Sequence, residues 1–574
     1  MRKSFLTTVS FSAGFAASLA AQQSAVEKSI PAADSADKPN VIFFIADDMR
    51  PYMCSFLPEG KTNILTPNID RLAKEGTVLM GQHVASPLCT PTRYNVLTGR
   101  YASRATNIWF QMCRKDGGQT WVEFNSHITP KDVTFPKLMQ KNGYVTGFVG
   151  KNHVVEVRNL YKFPNFDASA KDPENVKHLI ENEKKVQDAI KECGFDYAKN
   201  VYHNNPDFIG LHEVAVQNMD WITQGGVEFI DKYHDKPFFL YCATTVPHGP
   251  EEAPRSWNAN PLITPVGYLD KPLDVQPPRS TIPERLKAAG LKLNNDRANM
   301  LWLDDGLGAL IKRLEKYNLL DKTIIFFFND HGQNAKGTLY QGGIYDPSIV
   351  WKSKGFKCGH ILNALVSNVD FAPTILDMSG TSYEVTQFDG RSFYPYLNGK
   401  KPPADRVLYS ELGYTRAIVK GNWKLLVVSY PESLAKMSLA ERKKLLDDWN
   451  AERRRRHLAI VTTDPTRPFS HLTPVPGGGD AEHESTGAYP GYYDTYQLYD
   501  LSKDPNEQVN LAKNPEYEAK LEEMKKEMKQ ILDTLPGKFG ELSNGCKDDI
   551  DWRKYLKKPK TKKTEKKKSE AASG

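Results

Sequence analysis

Four uninterrupted apolar runs recur along the first part of the chain. They are Val41–Ile45, Tyr144–Val149, Pro237–Ala243 and Thr323–Phe328. Runs of this length without alternation are typical of strands that are buried on both faces. Helical patterns separate them, at Asn68–Glu75, Phe135–Asn142 and Asn299–Tyr317. The alternation predicts an α/β fold in which a large, mostly parallel sheet is flanked by helices.

The pattern changes near residue 405, where shorter pieces with strand character begin. These pieces are Val407–Glu411, Ala417–Val419 and Trp423–Val428. Charged helices are predicted at about 434–456 and 514–533, and glycines and prolines around Gly477 mark an irregular loop between them. We therefore expect a large domain over residues 38–404 and a smaller C-terminal α+β domain, carrying a short antiparallel sheet, over residues 405–550.

The N-terminus has the pattern of an export signal. Two basic residues open the chain, and an apolar stretch rich in small residues follows up to Leu19. This pattern predicts a cleaved signal peptide over residues 1–21, followed by a linker over 22–37. The stretch is too short for a spanning helix and no cysteine follows it, so we expect a periplasmic or secreted protein without a membrane anchor.

Composition and charge exclude several classes of protein. The 574 residues are 40% hydrophobic, and the seven cysteines show no repeating spacing that would indicate a disulfide framework. The net charge is +7, but residues 553–574 alone hold ten Lys or Arg and two Glu. The rest of the chain is close to neutral, which does not favour nucleic-acid binding. We expect residues 551–574 to be a solvated, disordered tail, with weak adhesion to a polyanion as the alternative.

Polar residues follow directly after each apolar run. They are Asp47 and Asp48 after the first run, Lys151 and His153 after the second, His248 after the third, and Asp330 and His331 after the fourth. Ligands of parallel sheets bind beyond the carboxyl ends of the strands, so these side chains are expected to share one pocket. Lys336 follows closely and either reaches the same pocket or is an exposed loop lysine.

Two of these strand ends supply candidate ligands for a divalent cation. The four residues are Asp47, Asp48, Asp330 and His331. Their mostly oxygen ligands suit Ca²⁺ or Mg²⁺, while the imidazole leaves Mn²⁺ or Zn²⁺ open. For the pair of aspartates alone, a turn or a helix N-cap is the structural alternative.

The motif Cys89-Thr90-Pro91-Thr92-Arg93 adds a candidate nucleophile. Pro91 suits the first turn of a helix, and a helix N-terminus offers free N–H groups to an anion at Cys89. Arg93 lies one turn further on and adds a cation on the same side. Together with the strand-end residues, the motif predicts a pocket for a tetrahedral oxyanion such as a sulfate or phosphate ester.

The ordered set of motifs resembles the type I sulfatases of the alkaline phosphatase superfamily. The resemblance covers residues 38 to about 512 and ends in Leu498-Tyr499-Asp500-Leu501 and Asp504-Pro505-Asn506-Glu507. It implies that a formylglycine-generating or anaerobic maturing enzyme oxidises Cys89 to formylglycine. It also implies a bound Ca²⁺, with Mg²⁺ or Mn²⁺ as alternatives, held by Asp47, Asp48, Asp330, His331 and the modified residue 89.

The resemblance implies a role for each remaining residue of the pocket. Arg93 would hold and activate the hydrated aldehyde, and His153 would be the base that restores the aldehyde. The groups that bind the sulfate and help the alcohol leave would be Lys151, His248 and Lys336. The chain would then be an exported sulfatase acting on a sulfated carbohydrate. Gln341 and Tyr345 stand where the family commonly has glutamate and arginine, which leaves the contacts of that loop open.

Two alternatives stay open from the sequence. One is a phosphonate monoester or phosphodiester hydrolase built on the same motif, and the other is an unmodified, inactive glycan-binding homologue. Trp109, Phe110 and Trp121 are predicted either to stack on a sugar or to pack in the core.

Overall fold

A computed structural model of the chain describes residues 38–112, 118–429, 436–455, 460, 462–466, 488–492 and 494–546. The predicted signal peptide, linker and Lys-rich tail, and the loop around Gly477, lie outside the described residues. Within the described ranges, none of the helices has the length and apolar character needed to cross a membrane. Cys54, Cys89, Cys193, Cys242 and Cys358 are free thiols.

The strands in chain order are β1 (Asn40–Asp47), β2 (Thr77–Leu79), β3 (Gln82–His83), β4 (Val145–Lys151), β5 (Tyr197–Tyr202), β6 (Phe238–Pro247), β7 (Ile263–Thr264), β8 (Gly267–Tyr268), β9 (Thr323–Asn329), β10 (Ser348–Trp351), β11 (Ile361–Leu362), β12 (Val366–Ser367), β13 (Val407–Leu412), β14 (Thr415–Lys420), β15 (Trp423–Val428) and β16 (Tyr496–Asp500).

The α-helices are α1 (Pro67–Glu75), α2 (Cys89–Thr98), α3 (Ile108–Met112), α4 (Phe135–Lys141), α5 (Pro173–Glu192), α6 (Met219–Tyr233), α7 (Ile282–Ala288), α8 (Asn295–Lys316), α9 (Gln341–Ile344), α10 (Phe371–Met378), α11 (Tyr394–Leu397), α12 (Leu439–Arg455) and α13 (Glu518–Leu532).

An eight-stranded sheet forms the centre of the large domain, in the order β11-β2-β10-β9-β1-β6-β4-β5. The five strands from β9 to β5 run parallel, and β10 runs antiparallel to β9. The four apolar runs are β1, β4, β6 and β9, which lie side by side. The prediction of a mostly parallel sheet flanked by helices is therefore confirmed, and all four strands end at the same edge.

The apolar runs are continuous because helices cover both faces of the sheet. Every residue of β1 is buried. Phe43 faces one side, where its ring lies 5.7 Å from Phe135 of α4 and 6.1 Å from Phe371 of α10. Phe44 faces the opposite core, which includes residues of α6 and α8. Burying one such side chain contributes about 1.5–3 kcal/mol.

The longest helices of the large domain begin at polar caps. Asp172, Asn218 and Asn294 precede α5, α6 and α8, and each side chain accepts a hydrogen bond from a backbone N–H in the first turn. Such caps satisfy donors that have no partner inside the helix. Of these three helices, the apolar pattern predicts only α8.

The C-terminal region forms the expected antiparallel sheet, in the order β13-β14-β15-β16. One face packs on α13, where Met524 and Met528 contact the side of the sheet that carries Ile418. The other face, including Leu412, belongs to the same apolar cluster as Phe43 of the large sheet. The two regions thus share a core, and the division at residues 404 and 405 stays a prediction.

Candidate active site

The polar residues that end or follow the parallel strands lie together in one buried pocket. Asp47 ends β1, Lys151 ends β4, and Asp330 follows β9. All three are fully buried. Since unpaired buried charges are strongly disfavoured, each must find partners there.

A left-handed turn lets two consecutive aspartates face the same pocket. Asp48 follows the strand with φ of 63°, a conformation that costs a non-glycine residue about 1–2 kcal/mol. Two hydrogen bonds hold the turn: the Asp48 N–H donates to Asp330 Oδ1 at 3.2 Å, and the Met49 N–H donates to Asn329 Oδ1 at 2.8 Å. The end of β9 therefore fixes the end of β1.

Cys89 lies at the first position of α2, as the motif predicted. Its Sγ is 3.7 Å from Asp47 Oδ1 and 3.7 Å from His331 Nε2. Burial and the nearby Asp330 carboxylate raise the pKa of the thiol. Because a thiolate is the reactive form of cysteine, the unmodified side chain is a poor nucleophile in this pocket.

Four side chains can hold a metal ion together. They are Asp48, Cys89, Asp330 and His331, whose ligand atoms all lie within 4.8 Å of one another. Three of the four are buried. The donor set fits a divalent cation, because two of the four donors are carboxylate oxygens and the imidazole and residue 89 supply the other two.

Asp47 lies at the edge of this group and contacts two cations. Lys151 Nζ donates to Asp47 Oδ2 at 2.5 Å, and Arg93 Nη2 lies 3.5 Å from Asp47 Oδ1. Arg93 Nη2 also donates to Asp330 Oδ2 at 3.3 Å. The predicted metal ligand Asp47 is thus engaged with the basic side of the pocket in this structure.

Two further basic side chains contact Asp48. Lys336 Nζ donates to both carboxylate oxygens, at 2.7 and 2.6 Å, and His248 Nε2 lies 3.2 Å from Oδ2. Although burial opposes it, these neighbours hold the pKa of Asp48 well below its usual value. Lys336 therefore reaches the pocket and is not an exposed loop lysine.

Arg93 keeps free donors inside the pocket. Its side chain is buried, and its Nε and Nη1 atoms have no hydrogen-bond partner among the described residues. A buried, unsatisfied N–H group costs about 1–3 kcal/mol. An oxyanion that accepts these N–H groups would recover that free energy.

His153 is the neutral base candidate of the pocket. Burial and the nearby Lys151 and Arg93 cations lower its pKa well below the usual value. Its ring stacks on Phe124 at 5.7 Å with an interplanar angle of 18°. A neutral imidazole at ordinary pH is able to take up a proton.

A sulfatase family model matches residues 39–381 of the chain. The chain belongs to the sulfatase family. The resemblance drawn from the motifs is thereby confirmed, and with it the placement among the type I sulfatases of the alkaline phosphatase superfamily.

Relatives of known name agree with this placement. The chain is 27% identical over 393 residues to N-acetylglucosamine-6-sulfatase from Capra hircus, a match that spans 64% of this chain and 65% of that protein. It is 24% identical over 513 residues to an ulvan-active sulfatase from Formosa agariphila, covering 87% and 75% of the two chains. The chain thus spans just under two thirds of the length of the goat enzyme.

A solved structure from work on glycosaminoglycan metabolism by Bacteroides thetaiotaomicron shares the fold. Its TM-score is 0.54 at 20% sequence identity, and the match covers 86% of this chain and 99% of that chain. The likeness extends beyond the family model into the C-terminal region. Both predicted regions therefore belong to the shared fold.

The two departures from the family pattern lie between β9 and β10, in the same part of the chain as Asp330 and Lys336. Gln341 begins α9, and its backbone N–H donates to Glu507 Oε2 at 2.6 Å. Tyr345 packs its ring on His83 at a centroid distance of 5.6 Å. Neither belongs to the group of ligand atoms around Cys89.

One contact of the pocket was missed by sequence reasoning. The side-chain nitrogen of Asn205 lies 3.0 Å from His248 Nε2, and Asn205 follows β5. Lys199 and Asn200 stand together in the middle of β5, the edge strand of the sheet, so no apolar run marked it. The polar pair Asn204-Asn205 after that strand was the available signal.

Proposed function

We propose that the protein is a sulfatase that hydrolyses sulfate esters of a sulfated carbohydrate. Family membership supports the reaction class. The observation that carries the proposal is the grouping of Cys89 with Asp48, Asp330 and His331 at the N-terminus of α2. The charged groups around this point are the carboxylates of Asp47, Asp48 and Asp330 and the cations of Arg93, Lys151 and Lys336. This arrangement of charges suits a metal ion together with a sulfate group.

We infer that Cys89 acts only after conversion to formylglycine by a maturing enzyme. The raised pKa of the thiol argues against direct attack by the unmodified cysteine. When present, formylglycine supplies a hydrated aldehyde as the nucleophile. Arg93 contributes its two unpartnered nitrogens to hold that group.

We propose a divalent cation, most simply Ca²⁺, among Asp48, Asp330, His331 and residue 89, with Asp47 close by. Mg²⁺ and Mn²⁺ are alternatives. The ion would neutralise the charge of the sulfate and polarise its oxygen atoms. The basic residues that now contact Asp47 and Asp48 would then be available to the substrate.

Three basic side chains are proposed to bind and orient the sulfate. They are Lys151, His248 and Lys336. Lys336 is a charged donor, since burial is outweighed by the Asp48 carboxylate and its pKa is raised. His153, neutral because of burial and its cationic neighbours, is proposed as the group that takes up a proton during release of sulfate.

A sulfated carbohydrate is proposed as the substrate class. The named relatives include an N-acetylglucosamine-6-sulfatase and an ulvan-active sulfatase. Trp109 adds an independent indication, because its side chain is 52% exposed and its ring stacks on His127 with an interplanar angle of 18°. Phe110 and Trp121 are buried and belong to the core. A fixed, exposed indole is a suitable platform for the apolar face of a sugar ring.

The decisive test is a screen of purified protein against defined sulfated oligosaccharides, with released sulfate measured by ion chromatography. Mass spectrometry first verifies formylglycine at position 89, and Cys89→Ala is the matched control. Sulfate release by the modified protein alone is the expected result. Absence of release from every sulfate ester would overturn the proposal. Faster turnover of an aryl phosphodiester than of an aryl sulfate would instead favour the phosphodiester or phosphonate ester activity.

A further inference from the structure

The loop between β9 and β10, residues 330–347, joins the pocket to the C-terminal region. Asp330, His331 and Lys336 lie in its first part. Its second part contains α9, which contacts residues that follow β15 in the chain. Tyr340 donates its hydroxyl to Gln497 Oε1 at 2.7 Å and stacks on Tyr489 at 3.7 Å.

Glu507 makes the most unusual contact with this loop. Its side chain is 1% exposed and its φ is 58°. One carboxylate oxygen accepts the Gln341 N–H at 2.6 Å, and the other pairs with Lys424 of β15, which is fully buried. Two charges of opposite sign are therefore enclosed between the small sheet and α9.

Stability alone does not explain such a pair. Desolvation costs several kcal/mol per ion, so a buried ion pair is often no more stable than apolar residues of similar volume. What the pair provides is a fixed acceptor for one backbone N–H at the first residue of α9. A hydrogen bond to a charged acceptor is roughly twice as strong as a neutral one.

Backbone hydrogen bonds join α9 directly to the segment that carries Lys336. The Ala335 N–H donates to Gly342 O at 3.1 Å, and the Gly332 N–H donates to Gly343 O at 3.0 Å. There is no room for a side chain at these glycines, since a Cβ atom on Gly332 would lie 2.5 Å from Gly342 O. The segment that carries Lys336 is thus packed directly against α9.

The same loop also contacts the residues that directly precede α2. The Gly337 N–H donates to Pro87 O at 3.2 Å, two residues before Cys89. Residues 335–337 are therefore held between α9 on one side and the Cys89 segment on the other. A shift of α9 would change the distance from Lys336 to the reacting group.

We propose that Glu507, paired with Lys424, is a positioning residue that sets the placement of Lys336 through α9. The proposal rests on the proposed function in one respect, namely that Lys336 contacts the sulfate. It gives a role to the motif Asp504-Pro505-Asn506-Glu507, which lies far from Cys89 in the sequence.

The test compares two charge-neutral double variants of the full chain. Lys424→Met/Glu507→Gln keeps an acceptor oxygen for the Gln341 N–H, whereas Lys424→Met/Glu507→Leu removes it. Each is made with and without Lys336→Ala, and kcat and KM are measured on an aryl sulfate with formylglycine content verified. Hydrogen–deuterium exchange of the peptide covering residues 332–345 provides a readout that does not depend on activity.

The Leu variant is expected to lose about tenfold or more in kcat, because small displacements of a positioned group are costly. The Gln variant should stay within about threefold of wild type. In the Lys336→Ala background the Leu change should have little further effect, and exchange of 332–345 should rise only in the Leu variant. Equal losses in both variants, or the same loss with and without Lys336, would overturn the proposal.

Tyr340→Phe provides a second route if the Leu variant does not fold. It removes the hydroxyl that donates to Gln497 without changing charge. We expect this variant to lower kcat when Lys336 is present and to have no further effect on kcat in the Lys336→Ala background. An additive loss contradicts the proposal. A wild-type protein without sulfatase activity would refute the proposed function, while the exchange measurement would still decide whether Glu507 fixes the loop.

Discussion

Replacement of Lys151 by methionine tests the charge balance of the pocket. Lys151 and Asp47 are both fully buried, and their charged atoms lie 2.5 Å apart. Lys151→Met would leave the Asp47 carboxylate without its main partner. Removing one member of a buried ion pair typically costs about 3–5 kcal/mol.

The expected loss lies at the lower end of that range. Arg93 Nη2 remains 3.5 Å from Asp47 Oδ1 and offsets part of the charge. We therefore expect a decrease of about 3 kcal/mol in the free energy of unfolding. The double variant Lys151→Met/Asp47→Asn should recover most of this loss, since the unpaired charge is gone.

Urea unfolding followed by tryptophan fluorescence, in the presence of chelator, measures the free energy of unfolding of the single and of the double variant. Lys184→Met is the matched control, because Lys184 pairs with Asp188 on the exposed face of α5. Exposed pairs contribute about 0–1 kcal/mol, so the control should change stability little. Equal destabilisation in the single and double variants would refute the reasoning.

Four further predictions follow from the pocket and its surroundings. Thorough chelation should abolish most sulfate release, and added Ca²⁺ should restore it; an activity indifferent to both would contradict the metal site. The rate of sulfate release should stay constant as the pH falls to 6.5 and should decrease only at lower pH. The neutral form of His153 is the active one, and burial and the Lys151 cation lower its pKa. A decrease in rate that begins above pH 6.5 and disappears in His153→Gln would contradict this reasoning. Trp109→Ala should raise KM several-fold on a sulfated oligosaccharide and leave an aryl sulfate unaffected, with Phe166→Ala, 44% exposed, as the control; equal effects on both substrates would exclude stacking. Removal of residues 553–574 should leave aryl sulfate turnover unchanged, and a large loss would show that the tail contributes to the site.

The central strands could be predicted because helices cover both of their faces. An uninterrupted run such as Val41–Ile45 is compatible with few other environments. β6 extends beyond its apolar run to Pro247. Thr244 is buried there, and its hydroxyl has carbonyl acceptors within reach in Val246 O at 2.7 Å and Ile45 O at 3.0 Å. Such pairing is not visible in the sequence.

The site residues could be predicted as a set, but not their individual partners. Strand ends brought Lys151 and Asp330 together, as a parallel sheet requires. The turn at Asp48 and the contacts that direct Asp47 towards Lys151 depend on residues far apart in the chain. The segment that carries Lys336 packs against α9 through hydrogen bonds from Gly332 and Ala335. These features depend on tertiary contacts, for which local propensity gives no signal.

The strand order also has a consequence for biosynthesis. β1 pairs with β6 and β9, which follow about 200 and 280 residues later in the chain. A chain made from its N-terminus exposes β1 and the Cys89 segment until β9 has been translated, on the order of ten to fifty seconds at roughly 5–20 residues per second. In the finished fold Cys89 is 1% exposed. The parallel topology thus encloses Cys89 only after β9 has joined the sheet, so an enzyme of the proposed maturing kind would have access to it before that point.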